Sequence, residues 1–402
     1  MNPPPLLTLA DAWELLLRPV EPLGEIMLPC DAVLGRYLAR PLPARRTQPM
    51  ADLSAMDGYA MRAEDIEGPW RIIGESAAGH PFGGSLAQGE AVRISTGAMM
   101  PAGAGAVLLQ ENAARDGASL ALNGEGVPAP RHIRRAGFDF REGDVVLPAG
   151  IRIGAAQIGL AVASGHSALP VGKRPSIAIL DSGDELASDP ASCAAHQIPA
   201  SNGAMLAAMA APLAADIRRI GPVADDPRAL AAALARAEGS DVLVTSGGAS
   251  VGDHDLIRPA LAEWGARIEF WRVAIKPGKP LLVARRGGQW IVGLPGNPVS
   301  SYVTAVLFLL PLLRRLAGAV EDALPAAFEA RLAAPLPAGG DRHEFPRARL
   351  AGGLVTPLGE QDSSALAALG HANALIDRPP RAEALPSGAS VRVYPLDFGG
   401  NA

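Results

Sequence analysis

The chain has 402 residues, 49% of them hydrophobic and only 4% aromatic, so it fills aliphatic cores across two to four domains and is not a disordered protein. A net charge of −5, from 36 basic and 41 acidic residues, excludes any general attraction to nucleic acid or anionic membranes, and an anionic ligand has to be met by a local basic cluster. The two cysteines, Cys30 and Cys193, form no CxxC pair and no zinc spacing with histidine.

In chain order, "TLADAWELLLR" over 8–18 predicts a capped amphipathic helix, with Thr8 as N-cap and Asp11 three positions on. The start of the chain has no basic region and carries acids within its apolar stretch, which does not read as a signal peptide. A second helix is expected over 25–38, before Pro41, Pro43 and Pro49 break the pattern. From 45 to 140, short runs such as "WRIIGES", "EAVRIST" and "AVLLQEN" alternate with Gly/Pro turns and predict a β-rich module. Its methionines 56, 61, 99 and 100 are expected to pack inside it. "GAAQIGLAVASG" over 154–165 predicts another helix.

From 175 the texture changes. "SIAIL", "DVLVT" and "WIVGL" are short apolar strands separated by helical stretches over 201–215, 227–238, 255–264 and 298–317. That alternation predicts a parallel sheet covered on both faces. The longest apolar run, Tyr302 to Leu313, has 12 residues and contains Pro311, short of the about 20 that cross a bilayer, so a cytoplasmic protein is expected. After about 323, Pro/Gly-rich runs such as "FEARLAAPL" and "SVRVYPL" predict a small C-terminal β domain.

Ligands of open α/β sheets bind beyond the carboxyl ends of the strands, and each of the three strands ends in polar chemistry. "SIAIL" runs into Asp181, Ser182, Gly183, Asp184 and Glu185. "DVLVT" runs into "SGGASVGDHD": Gly247 and Gly248 leave bare backbone for an anion, Ser250 adds a hydroxyl, and Asp253 and Asp255 suit magnesium beside a phosphate. This is no Walker A loop, and a tight turn with a polar rim remains the competing explanation. "WIVGL" meets a Pro-Gly-Asn-Pro turn, with Ser300 and Ser301 at a helix start, where free N–H groups suit an oxyanion but capping also accounts for them. Between the last two strands, Arg272, Lys276 and Lys279 fall in a loop stiffened by Pro277 and Pro280, either an anion site or a solvated basic loop. Asp57-Gly58 and Thr96-Gly97 read as turns. There is no hydrolase triad, no GxSxG and no GxGxxG.

Six segments in order, "SAMDGYAMR", "STGAMMPAGA", "SGDEL", "TSGGASVGDHD", "IKPGKPLLV" and "GLPGNPVSS", resemble the molybdopterin molybdenumtransferases, the MoeA type and the gephyrin E domain, over almost the whole chain. The resemblance implies a multidomain α/β and β fold. An elongated helical subdomain is expected from 1–44 and 141–172, a β-rich subdomain from 45–140, a MogA-like three-layer α/β/α domain from 173–322, and a C-terminal β barrel from 323–402. It implies a homodimer with the active site between subunits. There, molybdate and adenylylated molybdopterin react with Mg2+ to give molybdenum cofactor and AMP. Other implied partners are the adenylyltransferase upstream and the recipient molybdoenzymes downstream. Carried over by position, the catalytic set is Asp57, Thr96, Asp139, Glu185, Asp225, Asp255, Lys276 and Lys279. The substrate-binding set is Gly247, Gly248, Ser250, Arg272, Pro280, Pro298, Ser300 and Arg347, with Asp225 and Asp255 holding the metal. Two departures stand out: Ala368 where a molybdate-contacting serine is expected, and Ser364 where histidine is common. A molybdopterin adenylyltransferase and a non-catalytic gephyrin-like scaffold are the alternatives; the extra β subdomains speak against the first and the retained acids and lysines against the second.

Overall fold

A computed structural model describes residues 6–247 and 256–396. Gly248, Ser250, Asp253 and Asp255 lie outside the described residues.

The centre is a six-stranded sheet in the order 216–223, 176–182, 242–246, 289–294, 282–286, 267–271. The first four strands are parallel. The three strands expected to be parallel are so, and Leu282–Arg286, which runs against its neighbours, makes the full sheet mixed. The reason is local. Arg286 pairs with Gln289, so Gly287-Gly288 is a two-residue hairpin turn, with Gly287 at φ +57°. Alternate residues of each strand feed opposite faces. Ile177, Ile179, Val242, Val244 and Val292 pack under helices Ser201–Ala210 and 298–316, while Ala178, Leu180, Leu243 and Ile291 pack under Pro227–Arg236 and Ile257–Glu263. The result is a three-layer α/β/α domain.

The first helix, Leu9–Leu17, forms as expected, with the Thr8 hydroxyl accepting from the Asp11 N–H. Leu9, Ala12 and Leu16 join the core of the α/β layer. Helix 298–316 is long and apolar enough to cross a membrane, but 83% of it is buried inside the structure as a core helix. It carries a π-helical stretch, Ala305–Leu309, just before Pro311. Pro311 has no N–H to give the carbonyl of Leu307 four residues back. The Trp13 indole N–H donates to that carbonyl instead, at 2.7 Å.

The helix expected over 25–38 does not form. Glu25–Pro29 is a strand with alternating exposure, paired antiparallel with Ala168–Gly172, followed by a 3-10 turn at Cys30–Ala32. Its period is two, with Ile26 and Leu28 turned inward. Leu42–Pro43 pairs with Val145–Leu147, and helix Ala155–Ala163 closes this two-segment unit.

Six strands build the β-rich module in the order 106–109, 58–61, 90–94, 70–76, 119–122, 113–116. Met61 is buried as expected, but Met56 and Met99 are 40% and 44% exposed, on turns beyond the strands. The C-terminal strands close into a five-stranded barrel, 328–332, 354–357, 347–351, 374–376 and 390–395. A two-residue parallel pairing, Ile275–Lys276 with His343–Glu344, joins this barrel to the α/β domain.

Candidate active site

A cleft of ≈ 990 Å³ opens where the carboxyl ends of the central strands face the barrel. From the sheet come Ser182 and Gly183 at the end of the second strand in sheet order, Gly247 after the third, and Pro295, Gly296 and Asn297 after the fourth. The 276–280 loop forms one wall. The barrel contributes Arg342, Glu344, Phe345, Gln361, Asp362 and Ser363 among others.

Gly247 has to be glycine. Its φ is +100°, and a Cβ there would stand 2.6 Å from the Ser182 carbonyl oxygen. Across the floor, Asn202 donates through Nδ2 to Ser246 Oγ at 2.9 Å and to the Gly296 carbonyl at 2.7 Å, tying two strand-end loops together. Ser182 is 4% exposed, lines the cleft, and its hydroxyl has no hydrogen-bond partner among the described residues. The Asp181 carboxyl before it is 3% exposed; burial pushes it up to about 6, against the opposing pull of Arg219 and the Gly203 N–H.

In the basic loop, Gly278 turns at φ +106°, and a Cβ there would meet Thr304 Cγ2 at 2.4 Å, so the loop lies flat on the core helix. The Lys279 carbonyl accepts from the Val273 N–H at 3.1 Å and closes the turn. Lys276 Nζ donates to Glu344 Oε1 at 3.1 Å, across the short parallel pairing. Behind that contact the ring of His343 stacks on Phe345 with centroids 4.8 Å apart and hydrogen-bonds Asp377. Tyr394 donates to the other Asp377 oxygen at 3.1 Å. Burial works to raise the Asp377 carboxyl, but His343, Tyr394 and Arg392 together hold it below the usual carboxylate range.

The cleft thus brings together seven residues expected from the sequence: Glu185, Asp225, Gly247, Lys276, Lys279, Pro280 and Ser300. Others sit elsewhere. Arg272 does not line the cleft; it adopts φ 70° and lays its guanidinium 5.3 Å from the Trp271 ring centroid. Pro298 is the first residue of the helix that carries Ser300. Arg347 is 1% exposed and donates to the carbonyls of Glu360 and Asp362 at 2.8 and 3.0 Å, propping the loop that presents Ser363. Asp57, Thr96 and Asp139 belong to the β-rich module and do not line this cleft. Asp57 accepts from the Thr96 N–H at 2.6 Å, and this bond holds its carboxyl below the ordinary value. Gly248, Ser250 and Asp255 lie outside the described residues.

Sequence reasoning missed Arg342, Glu344, Asn297 and Ser363. Asn297 Nδ2 donates to Ser363 Oγ at 2.7 Å, so a serine hydroxyl does reach the cleft. The alternating charges of "DRHEF" were the available signal for Arg342 and Glu344. Three cations, Lys276, Lys279 and Arg342, face four carboxylates, Glu185, Asp225, Glu344 and Asp362. The described lining is therefore net negative by one charge. Its lysines suit an anion, and its acids suit a phosphate only when a cation accompanies it. No group of three or more His, Cys, Asp or Glu side chains suited to a metal exists among the described residues. A magnesium ion that keeps its waters and takes one or two carboxylates plus phosphate oxygens needs no such cage, and Glu185 and Asp225 fit that donor chemistry.

Residues 7–165 match the model of the MoeA N-terminal region (domain I and II), 178–315 a probable molybdopterin binding domain, and 329–396 the MoeA C-terminal region (domain IV). Among curated proteins, molybdopterin molybdenumtransferase 2 of Mycobacterium tuberculosis is 35% identical over 388 residues, covering 92% of this chain and 95% of that one. The molybdopterin molybdenumtransferase of Haemophilus influenzae is 34% identical, covering 74% of each. Among solved structures, the molybdopterin biosynthesis MoeA protein of Pyrococcus horikoshii superposes with a TM-score of 0.84 at 25% identity, covering 97% of this chain and 100% of that one. On these grounds the chain is a member of the MoeA, or molybdopterin molybdenumtransferase, family.

Proposed function

We propose that the chain inserts molybdenum from molybdate into adenylylated molybdopterin, releasing AMP and forming molybdenum cofactor. The observation that carries this reading is the cleft itself. One ≈ 990 Å³ space is lined by two lysines, Lys276 and Lys279, and by the carboxylates Glu185 and Asp225, at the carboxyl ends of an α/β sheet. Lys276 and Lys279 hold the tetrahedral molybdate dianion by charge-assisted hydrogen bonds. Gly247, whose backbone is bare, together with Gly248 and Ser250 of the same loop, takes the phosphates. Asp225 and Asp255 would hold Mg2+, which would supply positive charge to offset that of a departing phosphate. Pro280 and Pro298 fix the loops that carry Lys279 and Ser300. Arg272 and Arg347 act from behind the wall, through Trp271 and the 360–362 loop.

A second copy of the chain completes the site in this reading. Asp57, Thr96 and Asp139 face the cleft of the partner subunit and orient the pterin end. The resulting homodimer works in the cytoplasm, taking its substrate from an adenylyltransferase and passing its product to molybdoenzymes. Co-expression of Asp57→Ala and Lys279→Ala chains tests this. At molybdate well below saturation each homodimer is expected to be strongly impaired, while the mixture recovers about a quarter of wild-type AMP release above that background, the statistical share of intact composite sites. Recovery no greater than the two homodimers alone refutes a shared site.

A further inference from the structure

Arg342 reaches the cleft from the barrel, and its electrostatic state differs from that of Lys276. Lys276 is matched by Glu344 at 3.1 Å. Arg342 is half-buried and has no carboxylate within ion-pair reach among the described residues. Its guanidinium makes one hydrogen bond there, from Nη1 to the Ile275 carbonyl at 3.3 Å. The acids beside it in sequence are engaged elsewhere: Asp341 with Arg381 Nε at 2.9 Å, and Glu344 with Lys276. A guanidinium carries several N–H donors in a fixed fork, so most of this one is left to face the cleft. A cation stripped of part of its water without a counter-charge is costly, and a bound anion offsets that cost.

The stem of Arg342 is held. The Gly339 N–H donates to the Ala382 carbonyl at 2.8 Å, and the Arg381 N–H to the Gly340 carbonyl at 2.7 Å, so the turn before Arg342 is fastened to 381–382. Arg381 keeps that place at φ 57°, a left-handed conformation that a residue with a side chain adopts only where its surroundings impose it. On the other side, the His343 N–H donates to the Ala274 carbonyl at 2.8 Å. Anchored at both ends, the residue has less backbone freedom to lose when a ligand binds.

We propose that Arg342 is an oxyanion-binding residue: its planar fork, steadied by the Ile275 carbonyl, takes two oxygens of a tetrahedral oxyanion in the cleft, either molybdate or a phosphoryl group of the nucleotide-capped substrate. A lysine offers such a group a point charge, whereas a guanidinium offers two parallel N–H bonds and so fixes its orientation as well. That the oxyanion is one of these two rests on the function proposed above; that Arg342 binds an oxyanion does not.

Calorimetric titration of the full chain with sodium molybdate, with AMP and with inorganic phosphate, at about 0.05 M salt, tests this. Arg342→Gln, whose amide can still donate to the Ile275 carbonyl, is expected to bind at least one of the three about tenfold to a hundredfold more weakly, with a wild-type melting temperature. A loss for molybdate alone supports the proposal with the metal oxyanion as ligand; a loss for AMP and phosphate supports it with the phosphoryl group. Arg342→Lys keeps the charge without the fork and is expected to stay at least about threefold weaker than wild type for the same probe. Wild-type affinity for all three in Arg342→Gln, or full restoration by lysine, overturns the proposal. Native protein that binds phosphate but neither molybdate nor AMP, with phosphate lost in Arg342→Gln, overturns the functional reading and leaves Arg342 an oxyanion-binding residue. Native protein that binds none of the three overturns both. Should Arg342→Gln not fold, Arg342→Lys decides alone, through the same threefold loss or its absence.

Discussion

Glu344→Gln is expected to tighten molybdate binding, the opposite sign to any lysine removal. Lys276 already has a partner in Glu344 at 3.1 Å, with side-chain exposures of 58% and 19%. An oxyanion arriving at Lys276 competes with that carboxylate and is repelled by it. Pairs this exposed are worth roughly 0.2–1 kcal/mol, so freeing Lys276 gains little by itself. The larger effect is the charge removed: a unit charge about 7 Å from a dianion, at an effective dielectric of about 40, contributes about 2 kcal/mol before screening. Salt at about 0.15 M trims this, leaving a gain of about fivefold to tenfold in affinity that shrinks as salt rises. Lys276→Ala does the reverse twice, losing a cation and uncovering Glu344, and is expected to weaken binding more than Lys279→Ala. Calorimetric titration with molybdate at about 0.05 and 0.5 M salt measures all three. Unchanged or weaker binding in Glu344→Gln at low salt would refute the reading of Lys276 as an anion-binding lysine held by its neighbour.

Lys279→Ala itself is expected to weaken molybdate binding about tenfold or more with little change in melting temperature, since a charge-assisted hydrogen bond contributes about 1.5–3 kcal/mol; wild-type affinity would remove this lysine from the site. Asp181→Asn is expected to stabilise the fold above pH 6. The folded carboxyl titrates at about 6 against about 3.9 when unfolded, so the folded state keeps its proton longer. Stability from this group is greatest below about pH 4 and declines by up to about 3 kcal/mol as pH rises through 6. Chemical denaturation at pH 4.5 and 7.5 should therefore show the variant's advantage growing with pH, and an advantage that shrinks contradicts the buried-charge account. Trp13→Phe removes the donor to the Leu307 carbonyl and is expected to cost about 1–3 kcal/mol, read as a lower denaturation midpoint; a neutral effect would mean that water or another donor takes over. Chelation of Mg2+ is expected to stop AMP release and leave the melting curve of the ligand-free chain unchanged, because no described cage of carboxylates depends on a cation for its stability.

Much of the sheet side of the cleft was legible because its chemistry is local. An apolar run followed at once by Gly, Pro, Asp or Lys marks a strand end, and Glu185, Gly247, Lys276, Lys279 and Ser300 all come from such junctions. The hairpin at Gly287-Gly288 is equally local, but a two-residue glycine turn interrupts no strand–helix alternation and so carries no signal at that scale. The barrel wall was not legible in the same way. Glu344 and Ser363 acquire their roles only when a strand some 70 residues downstream pairs with Ile275–Lys276, and no periodicity announces that pairing. Arg347, matched by position to an anion pocket, is buried and donates to two backbone carbonyls, a role its sequence context does not announce. The strand at Glu25–Pro29 was misread because five residues of alternating exposure also fit the start of a helical stripe.

The joint between barrel and sheet is also the stalk of a ligand-facing lysine. Backbone bonds from His343 to the Ala274 carbonyl and from Phe345 to the Lys276 carbonyl, both 2.8 Å, rivet the barrel to the segment that carries that ammonium group. Any tilt of the barrel therefore drags Lys276 with it. If the proposed function holds, the barrel would not tilt to admit a bulky pterin without also moving the lysine proposed to meet the metal oxyanion, so entry of one substrate and hold on the other would be mechanically geared.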